Sequence, residues 1–140
     1  VPEVDFMVLC EHVRADGGVL HMLGAGLDKI GIPVVPSGCN MGIALRLKLT
    51  RNECDRPHQA EIIFQNEDGA ASARLAATVQ IGYPDDVPKG WPAYAVLPIN
   101  MGVPIPAHGI YSVELLVDGE SKKSISFIVE KPPPPVIAGA

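Results

Sequence analysis

The residues whose chemistry stands out first are carboxylates at turns. If consecutive strands alternate in direction, the connections at 15–18, 51–58, 83–92 and 118–119 gather at one end of the molecule. That end collects Asp16, Asn52, Glu53, Asp55, Asp85, Asp86 and Asp118. A hard cation such as Ca²⁺ takes about six to eight oxygen ligands, and clustered loop carboxylates can supply them. Asp16, Asp55, Asp85, Asp86 and Asp118 are therefore the candidate metal ligands. Asp at a tight turn is also ordinary backbone chemistry, and Arg14, Arg51, Arg56 and Lys89 could neutralise the cluster. The grouping fails if Gly24–Gly26 reverses the chain instead of bulging it.

A second constellation is His12 and His21. With Asp16-Gly17 as a two-residue turn, the two imidazoles lie directly opposite, with Cys10 on the same face, and a third ligand would complete a zinc site. With Gly17-Gly18 as the turn, His12 faces Leu23 instead. A third is Cys54, Asp55 and His58, nominally a nucleophile, an acid and a base. Three such residues within five positions do not readily form a spatial triad. No nucleophile elbow or Gly-rich oxyanion element accompanies them. Arg56 and His58 are better read as tying this loop to a neighbouring strand or turn.

Two features suit contact with a partner. Trp91, between Gly90 and Pro92 in a loop, is a candidate anchor, though it could instead pack over an edge of the fold. Pro132, Pro133, Pro134 and Pro135 form a preorganised polyproline segment that loses little entropy on docking, or else a stiff surface tail with no partner. Walker, dinucleotide-binding and HExxH patterns do not occur, and no cofactor is expected.

The elements that must position these residues read as strands. Residues 4–13 are apolar on both parities, as in a strand buried on both sides. A strand from Val19 to about Leu23 follows, then a bulge at Gly24–Gly26 and extended chain to Ile32, with a loop from Pro33 to Asn40. The clearest alternation sets Ile43, Leu45, Leu47 and Leu49 against Ala44, Arg46 and Lys48. Further strands are expected at 59–66, 72–82 and 93–101. Residues 70–77 are Ala-rich and have a short helix as the alternative, and Pro98 implies an edge or a bulge. The final hairpin alternates Tyr111, Val113, Leu115 and Val117, turns at Asp118-Gly119, and returns through Ile125, Phe127 and Val129. Tyr111 sits where immunoglobulin-like sandwiches place a tyrosine corner, although no Cys–Trp–Cys framework is present.

Composition agrees. The 140 residues are 47% hydrophobic and carry fourteen Gly and fourteen Pro, which fits one turn-rich domain with a filled core. A net charge of −5, with no basic run longer than Lys122-Lys123, gives no footprint for nucleic acid. Ile30 to Leu45 is uncharged but broken by Pro33 and Pro36, so no membrane helix is expected. Residues 4–13 carry Asp5, Glu11 and His12 and do not resemble a signal peptide. Cys10, Cys39 and Cys54 have no zinc-like spacing. Three reduced thiols in a cytoplasm is the simpler reading, one disulfide with a free thiol the other.

The expected fold is an all-β, single-domain antiparallel β-sandwich of seven to eight strands, immunoglobulin-like or C2-like, with a small closed barrel as the competitor. Residues 1–130 form the domain and 131–140 a Pro-rich C-terminal tail. The stretch LCEHVRADGGVLHMLGAGLDKI, the RPH and EDG segments, and GIYSVELLVDGE followed by ISFIV resemble a group of small actinobacterial, mycobacterial-type proteins that form a domain of unknown function. The resemblance spans about residues 6–129. It implies a bacterial single-domain β-sandwich and carries over no catalytic residue or ligand. The expected function is a non-enzymatic interaction module, self-associating or part of a larger complex. Its partner would be protein, not nucleic acid or membrane. Binding of a small ligand or metal ion is the alternative.

Overall fold

The computed structural model describes residues 1–133 and contains ten strands and no α-helix among them. They are β1 (Glu3–Cys10), β2 (His12–Asp16), β3 (Val19–Leu23), β4 (Lys29–Gly31), β5 (Ser37–Leu49), β6 (His58–Asn66), β7 (Ala71–Val79), β8 (Ala93–Ile105), β9 (Gly109–Val117) and β10 (Glu120–Glu130). A 3-10 turn covers Arg51–Glu53. One sheet has the order β1-β5-β8 and a second the order β4-β10-β9-β6-β7, while β2 and β3 form a separate hairpin. The Ala-rich segment is strand β7, paired along β6, so its helical alternative does not form.

Period-two alternation explains the core. Met41, Ile43, Leu45, Leu47 and Leu49 of β5 project to one side and are fully buried. They share a single apolar cluster with Ile62 and Phe64 of β6, Val113 and Leu115 of β9, and Phe127 of β10. Phe127 stacks on Tyr111 at 5.7 Å and meets Phe64 edge-on at 6.3 Å. The Tyr111 hydroxyl donates to the Ala107 carbonyl at 2.7 Å, four residues upstream, the corner bond its position anticipates.

Several expectations need correction. The strand at 4–13 is two strands, because the chain bends at Glu11, whose amide bonds to the Leu23 carbonyl. Strands β5 and β8 are longer than their alternation suggests and pair with each other from Ser37↔Ile105 to Leu49↔Ala93, running through Pro98 and Pro104. Pro98 is tolerated because β8 is an edge. β4 is a distinct strand that pairs parallel to β10, so the second sheet is not wholly antiparallel. A short parallel partner of this kind leaves no periodic signature in the sequence.

The other face of β5 carries small residues, and this decides where the hairpin goes. Cys10, Val13 and Ala44 form a second buried cluster, with Phe6, Val8, Leu20 and Met22 packed on it. The β2–β3 hairpin thus lies over the outer face of the three-stranded sheet. Gly42 permits the approach, since a Cβ there would come within 2.7 Å of Cys10 Sγ and 3.2 Å of the His12 backbone. Asn100 of β8 then takes the place of a strand residue. Its Oδ1 accepts from the Val13 amide at 3.0 Å and its Nδ2 donates to the Val13 carbonyl at 2.7 Å.

This clamp makes a prediction. Asn100→Ala leaves one partly buried backbone donor and one acceptor without partners, a loss of about 2 kcal/mol at roughly 1 kcal/mol per bond. Urea unfolding of the two proteins at one pH measures it. Unchanged stability, with the Val13 amide still protected from exchange, would show that packing alone holds the hairpin.

Candidate functional site

The most highly organised polar group lies where β6 begins. His58 is 7% exposed and the lone buried polar or charged residue among the described ones. Its Nδ1 is 2.7 Å from Asp118 Oδ2 and its Nε2 is 2.6 Å from the Glu53 carbonyl. Both partners are acceptors, so both ring nitrogens donate and the geometry calls for the imidazolium. Asp118 is held from other directions too. Its backbone sits at φ 51, in the turn between β9 and β10, its Oδ1 accepts from the Gln59 amide at 2.9 Å, and its own amide donates to the Gln59 carbonyl. Glu53 comes from the 3-10 turn, where its Oε1 accepts from the amide and hydroxyl of Thr50.

Burial disfavours the charged ring of His58, but the hydrogen bonds to Asp118 and the Glu53 carbonyl outweigh it and hold its pKa above the usual value. The His58 bond holds Asp118 below the usual carboxylate range, against its partial burial. This is a structural tie between the 51–58 loop and the last hairpin, as the sequence reading of His58 expects. It does not form a triad with Cys54 and Asp55, because both His58 nitrogens are already committed. The Cys54 thiol is raised by burial and then by Asp55 and Glu53, opposite to what a nucleophile needs, and it lies 3.4 Å from the Thr50 carbonyl.

The candidate cation ligands are placed separately. Asp118 is committed to His58 and Gln59. Asp55, at φ 62, donates its amide to the Ile81 carbonyl. Asp16 lies at the end of β2 opposite Val19, and Asp85 and Asp86 are in the loop between β7 and β8. Among the described residues, no group of three or more His, Cys, Asp or Glu stands close enough to hold a metal ion.

The first hairpin turns at Gly17-Gly18, with φ of 60 and 77, so His12 pairs with Leu23 and Arg14 with His21. His12 and His21 therefore share an exposed face diagonally, beside the Arg14 guanidinium. The bend at Glu11 breaks the parity that would set Cys10 with them, and Cys10 is buried against Ala44. All three cysteines are free.

Trp91 is 53% exposed. Its loop is nevertheless pinned, because the Tyr83 hydroxyl donates to the Trp91 carbonyl at 2.7 Å and the Trp91 amide donates to the Pro88 carbonyl at 3.0 Å. The indole borders a groove of about 480 Å³ lined also by Lys48, Arg51, Tyr83 and Lys89. Arg51 lies over the Tyr83 ring, 5.2 Å from its centroid. None of these three cations forms an ion pair among the described residues. Sequence reasoning named Trp91 but did not join it to Lys89, two residues away in its own loop, or to Lys48 and Arg51, which come from the end of β5 and the turn after it. Pro132 packs against Gly31 of β4 and is half-buried, Pro133 is exposed, and Pro134 and Pro135 lie outside the described residues.

The tie fixes a pH dependence. His58, raised on folding, contributes stability that is complete below its unfolded pKa of about 6.5 and is lost as pH rises through the folded value. Asp118, depressed on folding, contributes above its unfolded pKa of about 3.9, and this is lost as pH falls through the folded value. The pair's contribution is therefore greatest between those limits. Asp118→Asn keeps a residue that tolerates φ near 50 and should lower stability by about 1–2 kcal/mol in that window. It should also flatten the decline above it. Denaturant unfolding at a series of pH values measures both, and an unchanged profile would exclude a charged tie.

Comparison with curated proteins finds no match. No helix among the described residues is long and apolar enough to cross a membrane. The β1–β10 frame, with its buried His58 and pinned Trp91 loop, coincides with the extent of a family match that begins at residue 5 and ends at residue 130, the last residue of β10. The chain belongs to this family of unknown function, DUF6941.

Proposed function

We propose that this chain is a non-enzymatic, cytoplasmic interaction module on a β-sandwich scaffold, and that it receives an acidic segment of a partner protein in the groove at Trp91. One observation carries the reading: a large aromatic side chain stays half-exposed on a pinned loop, beside three cations with no ion-pair partner among the described residues. Interface anchors have this character, an aromatic body with arginine or lysine nearby on a backbone that loses little freedom on binding. The cations stand in a chain of net charge −5, so the groove runs against the overall balance and favours a negatively charged partner segment over other surfaces.

Two sheets sharing one core, and the Tyr111 corner bond, support an immunoglobulin-like sandwich. Three free thiols support a reducing compartment. The committed nitrogens of His58 and the raised Cys54 thiol support a role without catalysis at that loop. The resemblance to small actinobacterial proteins supports a bacterial source.

Native mass spectrometry of the chain isolated from its own cells tests the reading. The expected result is a bound partner of fixed stoichiometry that Trp91→Ala weakens about thirtyfold, the loss of an anchor worth roughly 2 kcal/mol. Lys48→Glu with Lys89→Glu should abolish it, and added salt should weaken it in the parent protein. A wild-type protein with no partner, or a partner held equally by all three proteins, would overturn the proposal.

A further inference from the structure

We propose that β7 is the edge through which two copies of this chain pair, antiparallel, into one continuous sheet. The inference does not depend on the groove at Trp91. The two large sheets end in four edge strands, β1, β8, β4 and β7. Open edges invite pairing with other chains, and folds blunt them with charge, proline, bulges, short length or a cover.

Three of the four are blunted. β1 presents exposed Glu3 and Asp5 and is bulged between Val4 and Phe6. β8 contains Pro98 and Pro104, which have no amide to donate, and the β2–β3 hairpin is clamped to it through Asn100. β4 has three residues. β7 differs in length and in the absence of proline. It has nine residues, ASARLAATV, without proline or carboxylate. Its single charge, Arg74, is paired at 3.1 Å with Glu61 of β6. The register with β6 is irregular only near the start of β7, which leaves Ala73–Val79 evenly paired on one side and without a strand partner on the other among the described residues.

The side chains say which occupant fits. Leu75 lies opposite Ile62, which is 2% exposed, yet remains 37% exposed at a strand that has no further hydrogen-bonded neighbour among the described residues. An antiparallel second copy with its two-fold at Ala76 places Leu75 opposite Ala77, Arg74 opposite Thr78 and Ala73 opposite Val79. No like charges meet in that register, and the small Ala side chains let Leu75 be covered. The Arg74–Glu61 pair makes the edge locally neutral, so two copies of net charge −5 can approach there. A strand-only contact falls below the roughly 1,000 Å² of typical stable interfaces, so the dimer is weak.

Sedimentation of the full chain over about 10 µM to 1 mM tests this, the range in which such small contacts populate. The mass is expected to rise from one chain toward two, with the amides of 73–79 exchanging more slowly at the high end. Ala76→Lys sets two ammonium groups against each other at the two-fold and should weaken association at least tenfold. Thr78→Lys, on the same exposed face, serves if that variant does not fold. A monomer throughout the range, a dimer unaffected by either lysine, or protection appearing away from β7 would each overturn the proposal.

Discussion

Strand β5 must be covered on both faces, and most of the structure follows from that constraint. One face is a run of Met41, Ile43, Leu45, Leu47 and Leu49 with no exposure to water, and only a second layer can bury it. The five-stranded sheet supplies that layer through Ile62, Phe64, Leu115 and Phe127. The opposite face offers Gly42 and Ala44, too small to fill space themselves, so the β2–β3 hairpin folds down onto them. The C-terminal end of β5 then feeds the 3-10 turn, which carries the Glu53 carbonyl to His58 and the Arg51 guanidinium to Tyr83. Core, clamp, tie and groove thus hang on one strand.

Two carboxylates near the His58 tie act on the chain's own backbone. Asp118 holds a turn, caps the Gln59 amide and orients His58, and Glu53 closes the 3-10 turn onto Thr50. A carboxylate that has accepted two or three such bonds has few lone pairs left for a cation. The carboxylates grouped from the sequence do not come together in threes among the described residues, and Asp118 is spent on His58 and Gln59.

What the sequence made legible was local. The alternation in β5 and in the β9–β10 hairpin, the edge position of Pro98 and the corner role of Tyr111 each depend on neighbours within a few residues, and each appears in the structure. The tie at His58 was legible because a histidine among loop carboxylates has few other uses. The break at Glu11 was not, since the apolar residues of 4–13 fall on both parities and the Asn100 side chain that holds the segment after the break lies some ninety positions away. A like distance hid the parallel seat of β4 on β10, and about forty positions separate Lys48 and Arg51 from Trp91. His12 and His21 turned on one residue of register, and two consecutive glycines left both turns available.

Polar satisfaction separates what holds this fold from what it offers outward. No buried side-chain nitrogen or oxygen among the described residues lacks a partner, Asn100 and His58 included. Interior groups therefore have nothing to gain from a second molecule and much to lose if disturbed. Among the described residues, unmet capacity lies at the surface, as in the ammonium and guanidinium groups of Lys48, Lys89 and Arg51 and the outer backbone edge of β7. Water satisfies these groups in the free chain, and a carboxylate or a strand can replace that water with small net cost in hydrogen bonding. Apolar area tips the exchange, since Trp91 and Leu75 stand beside those groups with surface still to bury. Each proposed contact surface thus couples a solvated polar array to one exposed apolar side chain, and neither is needed to fill the core.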